Sequence, residues 1–141
     1  MFPAGSAPKP RIPCVGALVQ DDDGRLLVVR RANDPGRGQW SVPGGRVEAD
    51  ESDQGAVRRE VLEETGLHVQ VGMRVGTVQR PGPAGVIYDI RDYACSLRVA
   101  TTPVAGDDAS EVRWVTRVEL RHLDLVDGLW DALADWGMLP T

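Results

Sequence analysis

Short runs of apolar residues separated by polar turns predict most of the strands in this chain. Apolar runs cover Cys14 to Gln20 and Arg25 to Arg31, and the segment DDDG between them is typical of a tight turn, so we expect a β-hairpin there. Three later runs, His68–Gln79, Tyr88–Val99 and Glu111–Val115, predict further strands.

Two segments have the composition and spacing of helices. Residues 52–65 contain strong helix formers, no proline and one glycine, and Gly66 is placed to end the helix. Apolar residues recur at helical spacing from Val126 to Trp136, which indicates an amphipathic helix. Strands before, between and after two helices predict an α/β fold, specifically a sandwich with a mixed sheet.

The length suits one domain, which we expect to span residues 13–141. The chain has 141 residues, 42% of them hydrophobic, enough for a single core. Residues 1–12 carry several of the prolines and have no apolar signal region, so they predict a disordered leader and a cytoplasmic location. Cys14 and Cys95 each lie in an apolar run, which favours reduced, buried thiols over a disulfide.

The charge balance limits the partners. Sixteen Lys and Arg residues against 21 Asp and Glu residues give a formal net charge of -5, which disfavours nucleic acid and anionic membranes as partners. An anionic ligand would therefore need a local cationic device, such as a bound metal ion.

Three glutamates crowd the end of the first predicted helix. At about 100° per residue, Glu60, Glu63 and Glu64 share one face. Each like-charge pair costs about 0.2–0.5 kcal/mol, and the helix dipole adds repulsion of similar size. A solvated acidic face is one interpretation of the cluster. The other is a site for a hard divalent cation such as Mg²⁺, which accepts carboxylate oxygens and completes its shell with substrate phosphates.

The spacing around these glutamates resembles the Nudix box. Gly45 is followed after five residues by Glu51, and after seven more by the segment REVLEETGL, Arg59 to Leu67, without any departure from the family pattern. The segment WSVPGG from Trp40 matches the usual entry to the box, and EVRWV matches a common later strand.

This resemblance implies an α/β/α sandwich that hydrolyses a nucleoside diphosphate linked to another group, with Mg²⁺ as cofactor and Mn²⁺ as a substitute. It also implies roles for the box residues. Glu60 and Glu64 would be the principal metal ligands, Glu63 a further ligand and the Gly44 carbonyl a backbone ligand. Glu51 and Arg59 would orient the cluster as an ion pair between loop and helix. The resemblance leaves a homodimer open.

The general base differs across the family. It is either a box glutamate, here Glu60, or an acid in the loop before the final strand, where GDDASE offers Asp107, Asp108 and Glu111. For any one of these three, a solvated loop acid is the favoured interpretation.

Substrate contacts are less strongly indicated. Arg37 and Arg80 flank the box in sequence and are the expected phosphate or ribose contacts, whereas Trp40 and Trp114 suit the core better than a base-stacking role. Pro83 lies sixteen residues beyond Leu67, a spacing that resembles the ADP-ribose pyrophosphatase subgroup.

ADP-ribose or a similar nucleotide sugar is therefore the expected lead substrate. The alternative within enzymes is a (d)NTP pyrophosphohydrolase acting on a substrate such as 8-oxo-dGTP. The alternative from another class is a non-catalytic nucleotide-sugar sensor, which would be expected to have lost box carboxylates that this chain retains.

Overall fold

The computed structural model describes residues 9–99, 101–106 and 108–141. In chain order its strands and helices are β1 (Arg11–Val19), β2 (Leu26–Arg31), β3 (Trp40–Ser41), β4 (Gly44–Arg46), α1 (Asp53–Thr65), β5 (Val69–Pro81), β6 (Ile87–Leu97), β7 (Ala109–Val115), α2 (Arg117–Arg121) and α3 (Leu129–Asp135). A short 3₁₀ turn, Pro83–Gly85, separates β5 from β6.

The strands form two sheets. One has the order β4-β1-β6-β5, in which β1 and β6 are parallel and the other neighbours antiparallel; the second has the order β3-β2-β7 and is antiparallel. The predicted mixed sheet is therefore confirmed.

Helices cover both faces of this strand layer. The core consists of two hydrophobic clusters, one on each face, and β1 contributes side chains to both. Val15 and Ala17 pack with α1, whereas Leu18 packs with Leu120 of α2 and Leu133 of α3. The α/β/α sandwich follows from this alternation, because successive side chains of a strand point to opposite faces. Within the described residues, no helix has the length and apolar character needed to cross a bilayer.

The helix predicted at residues 52–65 is confirmed as α1. The Ser52 hydroxyl accepts a hydrogen bond from the Gly55 N–H at 3.0 Å and caps the first turn. Gly66, with a φ of 73°, adopts the left-handed conformation that ends the helix, and its N–H donates to the Leu62 carbonyl. Ala56, Val57 and Val61 of α1 are buried.

The predicted hairpin between the first two strands is wrong. A turn does form, since the Asp21 N–H donates to the Arg25 carbonyl at 3.0 Å. Beyond a single bridge between Gln20 and Leu26, however, β1 pairs with β4 and β6 while β2 pairs with β3 and β7. The turn therefore carries the chain from one sheet to the other.

Two boundaries and one further helix also differ from the predictions. The strand β1 begins at Arg11, so the last two residues of the predicted leader pair with β6; residues 1–8 lie outside the described residues. The C-terminal helix begins at Leu129, after the left-handed Gly128, rather than at Val126. The helix α2 was not predicted, although Thr116 and Glu119 form the reciprocal capping box that marks its start.

Candidate active site

The C-terminal turns of α1 lie against the backbone that enters β4. The Glu64 side chain, only 9% exposed, accepts a hydrogen bond of 2.8 Å from the Gly44 N–H. One residue earlier, the Pro43 carbonyl accepts from the Ala17 N–H of β1. Because an antiparallel ladder alternates in this way, the N–H and carbonyl of Gly44 both face away from β1, on the edge that Glu64 approaches.

The buried position of Glu64 changes its acidity. Burial raises the pKa of this carboxyl to about 8, and the negative charges of Glu60 and Asp108 act in the same direction. The Gly44 hydrogen bond and the positive charge of Arg31 oppose the shift. Near neutral pH, Glu64 therefore holds a proton for much of the time, and a cation at this position would displace it.

Arg59 joins the other acidic side chains of the box. Its Nε and Nη2 donate to the two Glu51 oxygens at 2.8 and 2.9 Å, a bidentate pair that ties α1 to the preceding loop. Its Nη1 donates to Glu60 at 2.8 Å and to Glu63 at 3.3 Å. Hydrogen bonding to Arg59 lowers the pKa of Glu51 to about 2. One guanidinium therefore offsets much of the repulsion that the sequence predicts.

Glu60 and Glu63 differ in burial. A Cβ at Gly45 would lie 2.5 Å from the Glu60 Oε1, so glycine is needed for this carboxylate to lie against β4. Burial raises the pKa of Glu60, and the hydrogen bond from Arg59 opposes that change. Glu63 is more than half exposed and is directed to Arg59.

A cleft of about 500 Å³ opens in front of these carboxylates. Its lining combines apolar, acidic and basic side chains: Val29, Arg31, Asn33, Val42, Gly44, Gly45, Arg46, Glu48, Glu60, Glu64 and Asp108. Within the described residues, Arg31 and Arg46 are its basic members. Arg46 also donates to the Tyr88 hydroxyl at 3.2 Å and lies over the Tyr88 ring. The cleft thus presents cations beside the acidic cluster, as a phosphate-binding site would.

The two arginines selected from the sequence lie elsewhere. Arg37 is exposed and donates to the Ala32 carbonyl. Arg80 of β5 donates to the Gln79 carbonyl, and its guanidinium packs on Gly128 at the start of α3. Neither belongs to the cleft lining. Arg46 was overlooked, although its place directly after Gly45 in the box marks it as a neighbour of Glu60.

The structure separates the loop acids proposed as general bases. Asp108 lines the cleft, where its Oδ1 accepts from the Asn33 side chain at 3.3 Å. Glu111 lies on β7 and pairs with Arg113 at 2.7 Å, outside the cleft lining. Asp107 lies outside the described residues. Asp108 is therefore the loop acid that the fold brings to Glu60 and Glu64.

The two tryptophans are core residues. Trp40 is 6% exposed in the cluster that includes α2 and α3, with the Arg113 guanidinium 5.0 Å from its ring. Trp114 packs against the cluster beneath α1. Neither lines the cleft.

The cleft residues fit a hard divalent cation. The Glu60 and Glu64 carboxylates and the Gly44 carbonyl are all oxygen donors, which Mg²⁺ and Mn²⁺ prefer. In the part of the chain that the structure describes, no three Asp, Glu, His or Cys side chains are already gathered as a metal site. Since Mg²⁺ commonly keeps several waters and binds substrate phosphates, one or two carboxylates are a sufficient protein contribution.

Comparison with known proteins agrees with this arrangement. The solved MutT protein from Methanosarcina mazei Go1 superimposes with a TM-score of 0.78 at 28% identity, covering 94% of this chain and 96% of that chain. The putative 8-oxo-dGTP diphosphatase 2 of Mycobacterium tuberculosis is 36% identical over 121 residues, 82% of this chain and 80% of the relative. The ADP-ribose pyrophosphatase of Methanocaldococcus jannaschii is 33% identical over 99 residues, 67% of this chain and 56% of the relative.

The family model for the NUDIX domain matches residues 10–136, which include the complete box and both helical layers. Nudix hydrolases use divalent metal ions and act on nucleotide-linked small molecules. The chain belongs to the Nudix family of hydrolases.

Proposed function

We propose that this protein hydrolyses, with Mg²⁺, the pyrophosphate bond of a nucleoside diphosphate linked to a further group. The observation that carries this proposal is the pairing of a buried and a partly buried carboxylate, Glu64 and Glu60, with Arg31 and Arg46 around one cleft. Buried acids beside basic side chains provide both a cation site and an anion site, which a pyrophosphate ester requires.

Glu60, Glu64 and the Gly44 carbonyl would hold the metal. When bound, Mg²⁺ neutralises phosphate oxygens and lowers the pKa of an attached water. Arg59 holds Glu60 against β4, and its bidentate pair with Glu51 fixes the guanidinium in turn. Glu63 contributes through Arg59 or as an outer ligand.

The remaining cleft residues bind the substrate phosphates and activate the attacking water. Arg31 and Arg46 bind phosphate oxygens by charge-assisted hydrogen bonds. Asp108 accepts the proton of the attacking water, and the Asn33 amide orients its carboxylate. Glu60 is the alternative base, but its carboxylate already accepts a hydrogen bond from Arg59 and is proposed as a metal ligand.

A nucleoside triphosphate is the leading substrate class, with release of the monophosphate and pyrophosphate. Arg80, one of the two expected phosphate or ribose contacts, packs on Gly128 instead of lining the cleft. The relative named for 8-oxo-dGTP is also matched over more of its length than the one named for ADP-ribose. ADP-ribose stays the second candidate because of the Pro83 spacing. A cytoplasmic location and a homodimer also stay predictions.

The test is a hydrolysis screen with Mg²⁺ across nucleoside triphosphates, 8-oxo-dGTP, ADP-ribose and dinucleotides. Products identified by chromatography locate the broken bond. We expect monophosphate and pyrophosphate from a triphosphate, and loss of activity in Glu64→Gln. Glu111→Gln is the matched control, since it removes a carboxylate outside the cleft. Preferred cleavage of ADP-ribose would overturn the triphosphate assignment, and binding without turnover of any substrate would favour a sensor.

A further inference from the structure

A buried acid lies on the sheet beside the cleft and outside the box. Asp92 of β6 is 6% exposed and is in register with Gly16 of β1 and Gly76 of β5. Gly16 is in turn in register with Gly44 of β4. One row across all four strands therefore consists of three glycines and a single acidic side chain.

The Asp92 carboxylate has no partner that explains its burial. Burial raises the pKa of Asp92 to about 7, and the positive charge of Arg80 opposes this shift. Within the described part of the chain, no hydrogen bond to the carboxylate contributes. No completely buried side-chain oxygen of the described residues lacks a partner. An unpaired Asp92 oxygen therefore keeps some contact with solvent.

The carboxylate leans towards the cleft. A Cβ at Gly16 would lie 2.0 Å from the Asp92 Oδ1, so the acid occupies the space above that glycine. A methyl carbon of Val42, which lines the cleft, lies 3.5 Å from the same position. On the opposite side, the Trp136 ring packs on Gly76. The row from Gly44, at the cleft, to Asp92 therefore carries no other side chain.

We propose that Asp92 determines substrate specificity by accepting hydrogen bonds from the N–H edge of the nucleobase. This inference rests on the proposed function, since the base must extend from a pyrophosphate bound near Gly44. A carboxylate offers two acceptors side by side, and guanine presents two adjacent donors, N1–H and the N2 amino group. Uracil and thymine place carbonyl oxygens beside their single N–H, which the carboxylate repels. The preferred substrate is therefore a guanine nucleotide.

The test measures binding without turnover. Isothermal titration calorimetry with GMP, AMP, CMP and UMP, in EDTA, gives the base preference of the wild-type protein. Asp92→Asn should weaken GMP binding about 10- to 100-fold, the loss expected for a charged hydrogen bond, and should leave UMP binding unchanged or tighter because the repulsion of its carbonyl oxygens is removed. Asp89→Asn removes a carboxylate from the same strand and should keep the GMP preference. Circular dichroism verifies that each variant is folded.

Gly16→Ala provides a second variant that keeps Asp92. The added methyl group would displace the end of a flexible side chain rather than backbone, so the fold should tolerate it while the carboxylate moves. We expect the GMP preference to fall in this variant too.

The outcomes separate this inference from the proposed function. Equal weakening of all four nucleotides, or an unchanged GMP preference in both variants, would overturn the role of Asp92 while hydrolysis by the wild type could continue. A preference for another base that Asp92→Asn abolishes would overturn the guanine assignment. Selective GMP binding lost in both variants would support the inference even if no substrate were hydrolysed.

Discussion

The acidity of Asp92 predicts a specific dependence of folding stability on pH. Its pKa is raised from 3.8 to about 7 by burial. A difference of about three units corresponds to about 4 kcal/mol, at 1.36 kcal/mol per unit. Because the folded protein binds the proton more tightly than the unfolded chain, this stabilisation is fully present below pH 4 and is lost as the pH rises through 7.

Replacing Asp92 with Asn removes this contribution with little change in shape. Integrating the linkage between pH 5 and pH 8, the free energy of unfolding of the wild type should fall by about 2.5 kcal/mol relative to Asp92→Asn. Urea denaturation at several pH values, in EDTA to exclude metal binding, measures this difference. The other buried acids, including Glu64, titrate in both proteins and cancel in the comparison.

Asp22→Asn is the matched control, because Asp22 is an exposed carboxylate in the turn after β1. Its stability should follow the wild type at every pH. If the curves for wild type and Asp92→Asn run parallel between pH 5 and pH 8, Asp92 does not titrate in this range, and the claim that it is buried without a partner is refuted.

Three further outcomes concern the cleft. Glu64→Gln should lower kcat by about 10²- to 10³-fold and weaken Mg²⁺ binding in calorimetry, while its unfolding midpoint in EDTA stays equal or rises; near-normal turnover would contradict the ligand assignment. Asp108→Ala should lower kcat by about 10²-fold or more and Glu111→Ala should have little effect, so equal losses in steady-state assays would exclude Asp108 as the specific base. Arg31→Ala should raise KM for a triphosphate about tenfold or more, whereas a comparable rise in Arg37→Ala would show that the cleft lining does not mark the phosphate site.

Local signals made α1 predictable, whereas the pairing of strands was not. Ser52 and Gly66 cap α1 through contacts within a few residues, so the sequence contains the whole signal. The hairpin prediction failed because β1 takes its long partner, β6, from about 75 residues further along the chain, an arrangement that no local pattern encodes. The capping box at Thr116 was a local signal for α2 that the prediction overlooked.

In the site, too, locally encoded features were predictable and those that depend on distant contacts were not. The spacing of the box placed Glu51, Glu60 and Arg59 in the sequence, and the structure brings them into contact. The substrate arginines depend on where loops cross the cleft. Proximity to the box along the chain selected Arg37 and Arg80, whereas the cleft lining contains Arg31 and Arg46. Asp92 carried no signal, because an acid within a strand is ordinarily a solvent-facing residue.

Burial explains how three neighbouring glutamates can have different chemistry. Glu63 is more than half exposed and lies 3.3 Å from Arg59. Glu60 is partly buried, and one guanidinium hydrogen bond opposes its protonation. Glu64 is the most buried of the three; the Gly44 hydrogen bond and the more distant charge of Arg31 do not offset burial, and its pKa rises to about 8. The proposed metal ligation by Glu64 would therefore release a proton near neutral pH, and we expect metal affinity to increase with pH up to about 8. The dipole of α1, which disfavours negative charge at this end, favours the cation that replaces the proton.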